Sequence, residues 1–154
     1  MAVALELIAE GGITALTMRR IAEQIGISEP AIYRHFASKE NILEAILLEF
    51  LTARRQELQE IEKSSLPGLK KLEQIFQNRL KNFADKPDLA ALIFREDILD
   101  AAPGCRRIVL ELMDLHRHYA GLFLKASTQE GHIRADIDLA QIAFIFLASL
   151  RSLV

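Results

Sequence analysis

Residues 17–39 read T-M-R-R-I-A-E-Q-I-G-I-S-E-P-A-I-Y-R-H-F-A-S-K, and this stretch decides the fold of the N-terminal part of the chain. Ala22, Gly26 and Ile32 have the small–glycine–aliphatic spacing of a helix-turn-helix. Ala22 lets two helices approach closely, and Gly26 allows a left-handed backbone in the turn between them. The apolar residues expected to pack these helices together are Ile21, Ile25, Ile32 and Phe36. The stretch therefore predicts two short helices joined by a tight turn.

The second of these helices has a predictable outer face. Ser28 is its candidate N-cap residue. At about 100° per residue, an inner face centred between Ile32 and Phe36 places Pro30 and Arg34 on the opposite side. The residues that flank this outer face are Ala31 and Tyr33. Arg34 has the geometry to donate two hydrogen bonds to guanine O6 and N7 in a major groove, although an ordinary solvated helix end would have the same pattern.

The uninterrupted stretch from Ala4 to Leu47 resembles the tetracycline-repressor (TetR) family of bacterial transcription regulators. The positions that match the family in register are Gly12, Thr17, Ile21-Ala22, Gly26-Ile27-Ser28, Tyr33, Phe36 and Ser38-Lys39-Glu40. Glu29 departs from the family, which often has a basic residue at this position, and it is expected to interact with the helix dipole instead. The resemblance also implies that the first helix has residues before Met1 and that another helix follows Val154.

The resemblance implies a homodimer whose two recognition helices enter successive major grooves of a palindromic operator in double-stranded DNA. It also implies that a small molecule bound in the helical body changes the spacing of the two helices and releases the DNA. Carried over position by position, the candidate DNA contacts are Thr17, Arg19, Ser28, Pro30, Ala31, Tyr33, Arg34, His35 and Lys39.

Glycine, proline and N-cap signals divide the whole chain into helices, without a segment that alternates like a strand. The first helix is expected to end at Gly11-Gly12, a long helix to follow Ser38, and another to run from Arg106 to about Gln129. Asp138 and Gln141 form a capping box for a last helix. The predicted fold is all-α, with a three-helix helix-turn-helix DNA-binding domain over residues 1–48 and a helical-bundle effector-binding and dimerisation domain over residues 49–154.

The second domain contains apolar and aromatic side chains at helical spacing that could line an effector pocket. The candidates are Phe76, Leu80, Phe83, Phe94, Met113, His116, Tyr119 and Phe123. His116 and Tyr119 are favoured because each combines an apolar body with a polar tip that could orient a ligand. The same stripe is also typical of an ordinary helix core. The predicted effector is a small, largely apolar or aromatic compound.

The last helix is apolar nearly all round, which indicates that it packs against partners on two sides. A second copy of the chain is the expected outer partner. The candidate dimer-interface residues are Ile142, Ile145, Phe146, Ser149, Leu150 and Leu153.

Composition alone gives no sign of nucleic-acid binding, since the net charge is −2 and the pI about 6.1. The net charge of the whole chain nevertheless does not argue against DNA binding, because residues 17–39 contain four basic residues against two acidic ones. No apolar run reaches the ~20 residues of a membrane span, and no secretory signal opens the chain, so a cytoplasmic protein is expected.

Catalysis has no support from any motif, so an enzyme, a cofactor and a metal site are not predicted. His116 and His118 are two residues apart on a helix and would form a poor metal pair. Cys105 is expected to be a small apolar residue, with a low-pKa redox sensor as the alternative. Two other functions stay open: a DNA-organising or protein-interaction member of the same fold that ignores ligands, and a helical-bundle enzyme or carrier.

Overall fold

The computed structural model describes residues 1–85, 87–94 and 97–151, except for the side chains of Ala90, Ala91, Phe94, Leu150 and Arg151. All regular secondary structure in these ranges is helical, which confirms the all-α prediction. The helices are α1 (Ala2–Ala15), α2 (Met18–Ile25), α3 (Glu29–Tyr33), α4 (Lys39–Lys63), α5 (Gly68–Asp85), α6 (Pro87–Phe94), α7 (Ile98–Ala101), α8 (Pro103–Gln129) and α9 (Leu139–Arg151).

The chain divides into two compact units. Unit 1 comprises Met1–Leu51 and Lys86–Leu110, and unit 2 comprises Thr52–Asp85 and Glu111–Val154. Helices α4 and α8 therefore contribute residues to both units. The first unit includes α6 and α7, which lie far along the chain from the helix-turn-helix. The functional boundary predicted at residue 48 stays a prediction.

Unit 1 is built around α1, which packs against α2 and α6, while α2 packs against α3. The prediction that α1 ends at Gly11-Gly12 was partly wrong. Both glycines have non-helical backbone angles, with φ at +72° for Gly12, but helical residues resume and continue to Ala15. Burial of Ile13 and Leu16 on the far side of this break explains why the chain turns back into the core.

Both ends of α2 are well defined, and the turn after it has the predicted geometry. At the start of α2, the Thr17 hydroxyl caps the first turn by accepting a hydrogen bond from the Arg20 amide at 3.2 Å. Gly26 ends the helix with φ at +78°, the left-handed conformation that favours glycine. The expectation that Ile25 packs between α2 and α3 was wrong, because its side chain is 50% exposed at the end of α2. Ile21 of α2 and Ile32 of α3 are both buried, as predicted.

Unit 2 has its own apolar core, to which α4, α5, α8 and α9 all contribute. Its buried members are Leu58, Ile61, Leu72, Ile75, Tyr119, Ala120, Phe123, Leu124 and Ala143. Helix α8 begins at Pro103 rather than at Arg106 as predicted. A proline in the first turn is compatible with a helix because the first amides have no intrahelical acceptor.

Helix α9 begins after Asp138, whose Oδ1 accepts hydrogen bonds from the amides of Ala140 at 2.8 Å and Gln141 at 3.4 Å. The N-cap role predicted for Asp138 is thus confirmed.

Candidate nucleic-acid interface and effector site

The ends of α2, α3 and α4 surround an open groove of about 410 Å³ in unit 1. Its lining residues are Thr17, Met18, Arg19, Glu29, Tyr33, Ala37, Ser38, Lys39 and Glu40. Four predicted DNA contacts, which come from three successive helices, thus meet at one surface: Thr17, Arg19, Tyr33 and Lys39. Hydroxyls, cations and helix N-termini at one surface are the groups that hold DNA phosphates.

Helix α3 is only five residues long, and its outer face is exposed as the sequence predicted. Pro30 and Arg34 are exposed, and the Tyr33 side chain is 50% exposed. The other predicted contacts are also accessible: Ser28 and His35 are exposed, and Ala31 is half-buried. The DNA-contact role of each of these residues stays a prediction.

Two hydrogen bonds hold the end of α3. The amides of His35 and Phe36 both donate to the Ile32 carbonyl, at 2.9 and 3.0 Å. Arg34 therefore stands in a hydrogen-bonded turn, directly after the last regular residue of α3. Its exposed guanidinium can be presented to base edges from this turn.

The two arginines at the start of α2 have different surroundings. Arg19 forms an exposed ion pair with Glu23 at 2.8 Å, and the hydrogen bond that Arg19 Nε donates to the Glu23 carboxylate raises the pKa of Arg19. Arg20 instead connects α2 to α1, because it donates to the Ala15 carbonyl at 3.2 Å and to Glu10 at 3.1 Å. Exposed ion pairs contribute little to stability, so Arg19 can exchange Glu23 for a phosphate at small cost.

Acidic residues of the groove lie at helix N-termini. Glu29 is in the first turn of α3 and Glu40 in the first turn of α4. The hydrogen bond with Ser38 lowers the pKa of Glu40. Both carboxylates are favourably placed relative to the helix dipoles, as predicted for Glu29.

In unit 2, the predicted effector residues separate into a buried and an exposed set. Tyr119 and Phe123 are buried in the core with ring centroids 5.7 Å apart, and Phe76 packs against this core. Leu80 and Met113 are 43% and 49% exposed, because the helical stripe used for the prediction was wider than the face that α5 and α8 bury. Phe83 is half-buried. Phe94 belongs to unit 1 rather than to unit 2, and its side chain lies outside the described residues.

His116 and Tyr119 each have a defined hydrogen bond. The Tyr119 hydroxyl donates to Glu62 Oε2 at 3.2 Å. His116 Nδ1 lies 2.8 Å from the Leu112 carbonyl, which can only accept, so Nδ1 carries the proton. Burial, followed by the charge of Arg79, lowers the pKa of His116 to about 4. The ring is therefore neutral at pH 7.

The sequence analysis missed a group of charged and polar side chains beside His116. Arg54 forms an ion pair with Glu57, and Asn78 Nδ2 donates to Glu57 Oε1 at 2.6 Å. Arg79 is buried, with 7% of its surface exposed. The available signal was its position on α5, where it interrupts the apolar face formed by Leu72, Ile75 and Phe83. We call Arg54, Glu57, Asn78, Arg79 and His116 the buried polar cluster.

Cys105 is fully buried in unit 1, and burial, together with the charges of Glu44 and Glu40, raises its pKa to about 11. A thiol that stays protonated and inaccessible contradicts the redox-sensor alternative, and Cys105 is a small apolar core residue.

The predicted dimer-interface residues of α9 have unequal exposure. Ile145 is 62% exposed, whereas Ile142 and Phe146 pack against the core of unit 2. Ser149 is half-buried and its hydroxyl donates to the Phe146 carbonyl at 2.7 Å. The Leu150 side chain and Leu153 lie outside the described residues. The prediction overlooked Phe144, which is 73% exposed next to Ile145.

Within the part of the chain that the structure describes, no three His, Cys, Asp or Glu side chains form a group that could hold a metal ion. None of the described helices is long and apolar enough to cross a membrane.

Comparison with known proteins assigns this architecture to a class of regulators. Residues 1–46 match the family described as bacterial regulatory proteins, tetR family. The chain is 31% identical over 148 residues to the HTH-type transcriptional repressor KstR2 of Rhodococcus jostii, covering 94% of this chain and 71% of that repressor. The chain belongs to the TetR family and is a DNA-binding transcription repressor.

Two solved structures show the same fold. The transcriptional regulator FadR of Bacillus subtilis, in complex with stearoyl-CoA, has a TM-score of 0.79 at 20% identity, covering 98% of this chain and 81% of FadR. The ketosteroid transcriptional regulator KstR2 of Mycobacterium tuberculosis has a TM-score of 0.78 at 24% identity, covering 98% of this chain and 77% of that regulator. These relatives are transcription regulators.

Proposed function

We propose that this repressor binds a palindromic operator as a homodimer and leaves it when a small, largely apolar ligand enters unit 2. The observation that carries the proposal is the convergence of Thr17, Arg19, Tyr33 and Lys39 on one groove beside the exposed face of α3. Such a surface suits DNA, because phosphate contacts at its edges can orient a short recognition helix over the bases.

Each proposed DNA contact has a chemical role. Arg34 reads a base edge, while Arg19 and Lys39 hold phosphates by charge. The Thr17 oxygen already accepts from the Arg20 amide, and its hydroxyl proton is the part that can donate to a phosphate. Pro30 and Ala31 have short side chains, which allow α3 to approach the bases closely.

Dimerisation is assigned to the outer face of α9. Phe144 and Ile145 expose most of their surface on adjacent positions of this helix. Exposed apolar side chains of this size are favourable to bury against a second copy, and a two-fold axis would bring the same face of both copies together.

The ligand is assigned to the interior of unit 2, where Tyr119 and Phe123 contribute aromatic surface and the buried polar cluster contributes polar atoms. Its class is supported by two relatives of the same fold: one regulator was solved with stearoyl-CoA, and the other is a ketosteroid regulator. We therefore expect an acyl or steroid-like body.

Release of DNA by ligand tests this proposal. Fluorescence anisotropy would measure the affinity of the repressor for its operator with and without stearoyl-CoA or androstenedione. Because typical coupling between two sites is 1–3 kcal/mol, an effective ligand should weaken operator binding by about 5- to 150-fold. Unchanged operator affinity with both compounds, with no heat of binding in calorimetry, would contradict the inducible function and favour a ligand-independent DNA-organising protein.

A further inference from the structure

The side chain of Arg19 connects the groove in unit 1 to an acidic residue outside that groove. Arg19 lines the groove, whereas Glu23, one turn further along α2, is not one of the lining residues. Arg19 Nε donates a hydrogen bond to Glu23 Oε1 at 2.8 Å. The two side chains are 78% and 59% exposed, so an external anion has access to the same guanidinium.

Stabilisation of α2 does not explain why Arg19 and Glu23 stand in this order. Arg19 lies in the first turn of α2, which has no acidic residue, although the helix dipole disfavours a cation there. Helices α3 and α4 instead have Glu29 and Glu40 in their first turns. An arginine four residues before a glutamate is also the weaker order for a pair on a helix surface. Binding of an anion at the groove is a better reason for a cation at this position.

Glu23 and a DNA phosphate would use the same part of the Arg19 guanidinium. Nε–H and a neighbouring terminal N–H lie on one edge of the guanidinium plane, and such an edge binds a carboxylate or phosphate through two parallel hydrogen bonds. Because Glu23 accepts from Nε, a phosphate that takes this edge must displace the carboxylate. The Glu23 carboxylate and, more weakly, the Glu29 charge raise the pKa of Arg19, which keeps the guanidinium charged.

We propose that Glu23 competes with DNA phosphate for Arg19 and thereby lowers the affinity of the repressor for DNA of any sequence. Glu23 is a positioning residue, since it acts through Arg19. The inference rests on the proposed function, which places Arg19 on a phosphate. Phosphate contacts supply most of the sequence-independent affinity, so weakening one of them increases the share of the binding energy that comes from base contacts.

A double-mutant cycle between Arg19 and Glu23 tests the inference. Fluorescence anisotropy would measure the affinity of the 154-residue chain for a labelled duplex of random sequence over a range of salt concentrations. Glu23→Gln should raise this affinity by up to about 5-fold for each subunit on the DNA, as expected for an exposed ion pair. It should also steepen the plot of log K against log[salt] by up to about 0.9 per subunit, because Arg19 then neutralises a phosphate without releasing a carboxylate.

The Arg19→Gln background separates competition from simple repulsion. Without the guanidinium, Glu23→Gln should leave the salt slope unchanged and should raise the affinity no more than a control substitution does. Glu10→Gln is the matched control, because Glu10 is an exposed acidic residue of unit 1 that pairs with Arg20 at 3.1 Å. Arg20 connects α2 to α1 and does not line the groove, so this substitution removes the same charge without releasing a groove cation.

Equal gains in affinity from Glu23→Gln with and without Arg19 would overturn the inference, because Glu23 would then act only as a repulsive charge. A gain no larger than that of Glu10→Gln would also overturn it. A loss of affinity in Glu23→Gln would contradict it in another way, since Glu23 would then orient Arg19 towards the phosphate.

The duplex of random sequence distinguishes failure of this inference from failure of the proposed function. If DNA selection yields no inverted repeat, or if ligands leave operator affinity unchanged, the palindromic or inducible function is wrong. The cycle still supports competition in that case if Glu23→Gln raises affinity only when Arg19 is present. Wild-type affinity and salt slope in Arg19→Gln would overturn the inference together with the phosphate contact assigned to Arg19.

Discussion

Arg34 and Arg79 carry the same side chain in opposite environments, and their surroundings explain different uses. Arg34 is exposed beyond the last residue of α3, where its charge is solvated and available to an external anion. Arg79 is buried within unit 2, beside Arg54 and stacked on Phe83. An exposed guanidinium costs little and is available for the proposed recognition of DNA, whereas the buried Arg79 guanidinium is part of the interior of unit 2, where Phe83 and Glu57 offset its desolvation cost.

Gly26 is the residue whose backbone the helix-turn-helix most depends on. Its φ is +78°, and a Cβ built there would meet no atom within 4 Å. Gly26→Ala should therefore destabilise the chain through backbone conformation alone, by about 1–2 kcal/mol in the free energy of urea unfolding.

Gly121→Ala is the matched control for this prediction. Gly121 lies inside α8, and its Cβ would also meet no atom within 4 Å, but its backbone is helical. This substitution should stabilise the chain by about 0.5–1 kcal/mol. Equal effects of the two substitutions would show that the turn does not need the left-handed conformation.

At the scale of the element, α9 has an inner face that completes the core of unit 2 and an outer face without a described apolar cover. Ala143 is buried, and Ile142 and Phe146 pack against the core. Phe144 and Ile145 point away from it, with 73% and 62% of their surfaces exposed. A substitution of Phe146 would therefore confuse folding with association, and the outer positions are the better test of the dimer.

Phe144→Asp combined with Ile145→Asp should convert the proposed dimer to a monomer, because four carboxylates would be buried without partners in the proposed interface. Sedimentation equilibrium should report a dissociation constant raised on the order of a hundredfold or more. Leu66→Asp is the control, since Leu66 is 39% exposed in the loop between α4 and α5. A double variant that remains dimeric, or a monomeric wild type, would contradict the role of α9.

Local signals predicted the elements of unit 1 better than the contents of unit 2. The left-handed turn at Gly26 depends on a few neighbouring residues, and it was predicted. The exposure of Ile25 was not predicted, because the burial of a side chain at a helix end depends on where the next helix begins. Arg79 was overlooked because its partners Arg54 and Glu57 lie on another helix, about twenty residues away, and helical periodicity carries no information on such pairs.

At the scale of the whole molecule, the net charge does not indicate the function. The net charge of −2 averages a basic recognition stretch with an acidic remainder, so it gave no indication of DNA binding. Unit 1 combines residues near the start of the chain with residues 86–110, and unit 2 combines two later stretches. Helices α4 and α8 each contribute residues to both units, so neither unit is a single continuous stretch of the chain.

Selection of bound DNA from a random pool, performed in parallel with the wild type and Arg34→Ala, tests the central claim most directly. The wild type should enrich an inverted repeat whose half-sites are centred one helical turn or a multiple of it apart, as expected for a symmetric dimer. Arg34→Ala should keep the symmetry and spacing but lose about 1–3 kcal/mol of discrimination at one base pair in each half-site. Enrichment of unsymmetrical sequences, or a uniform loss of affinity in Arg34→Ala without a change in base preference, would contradict the account.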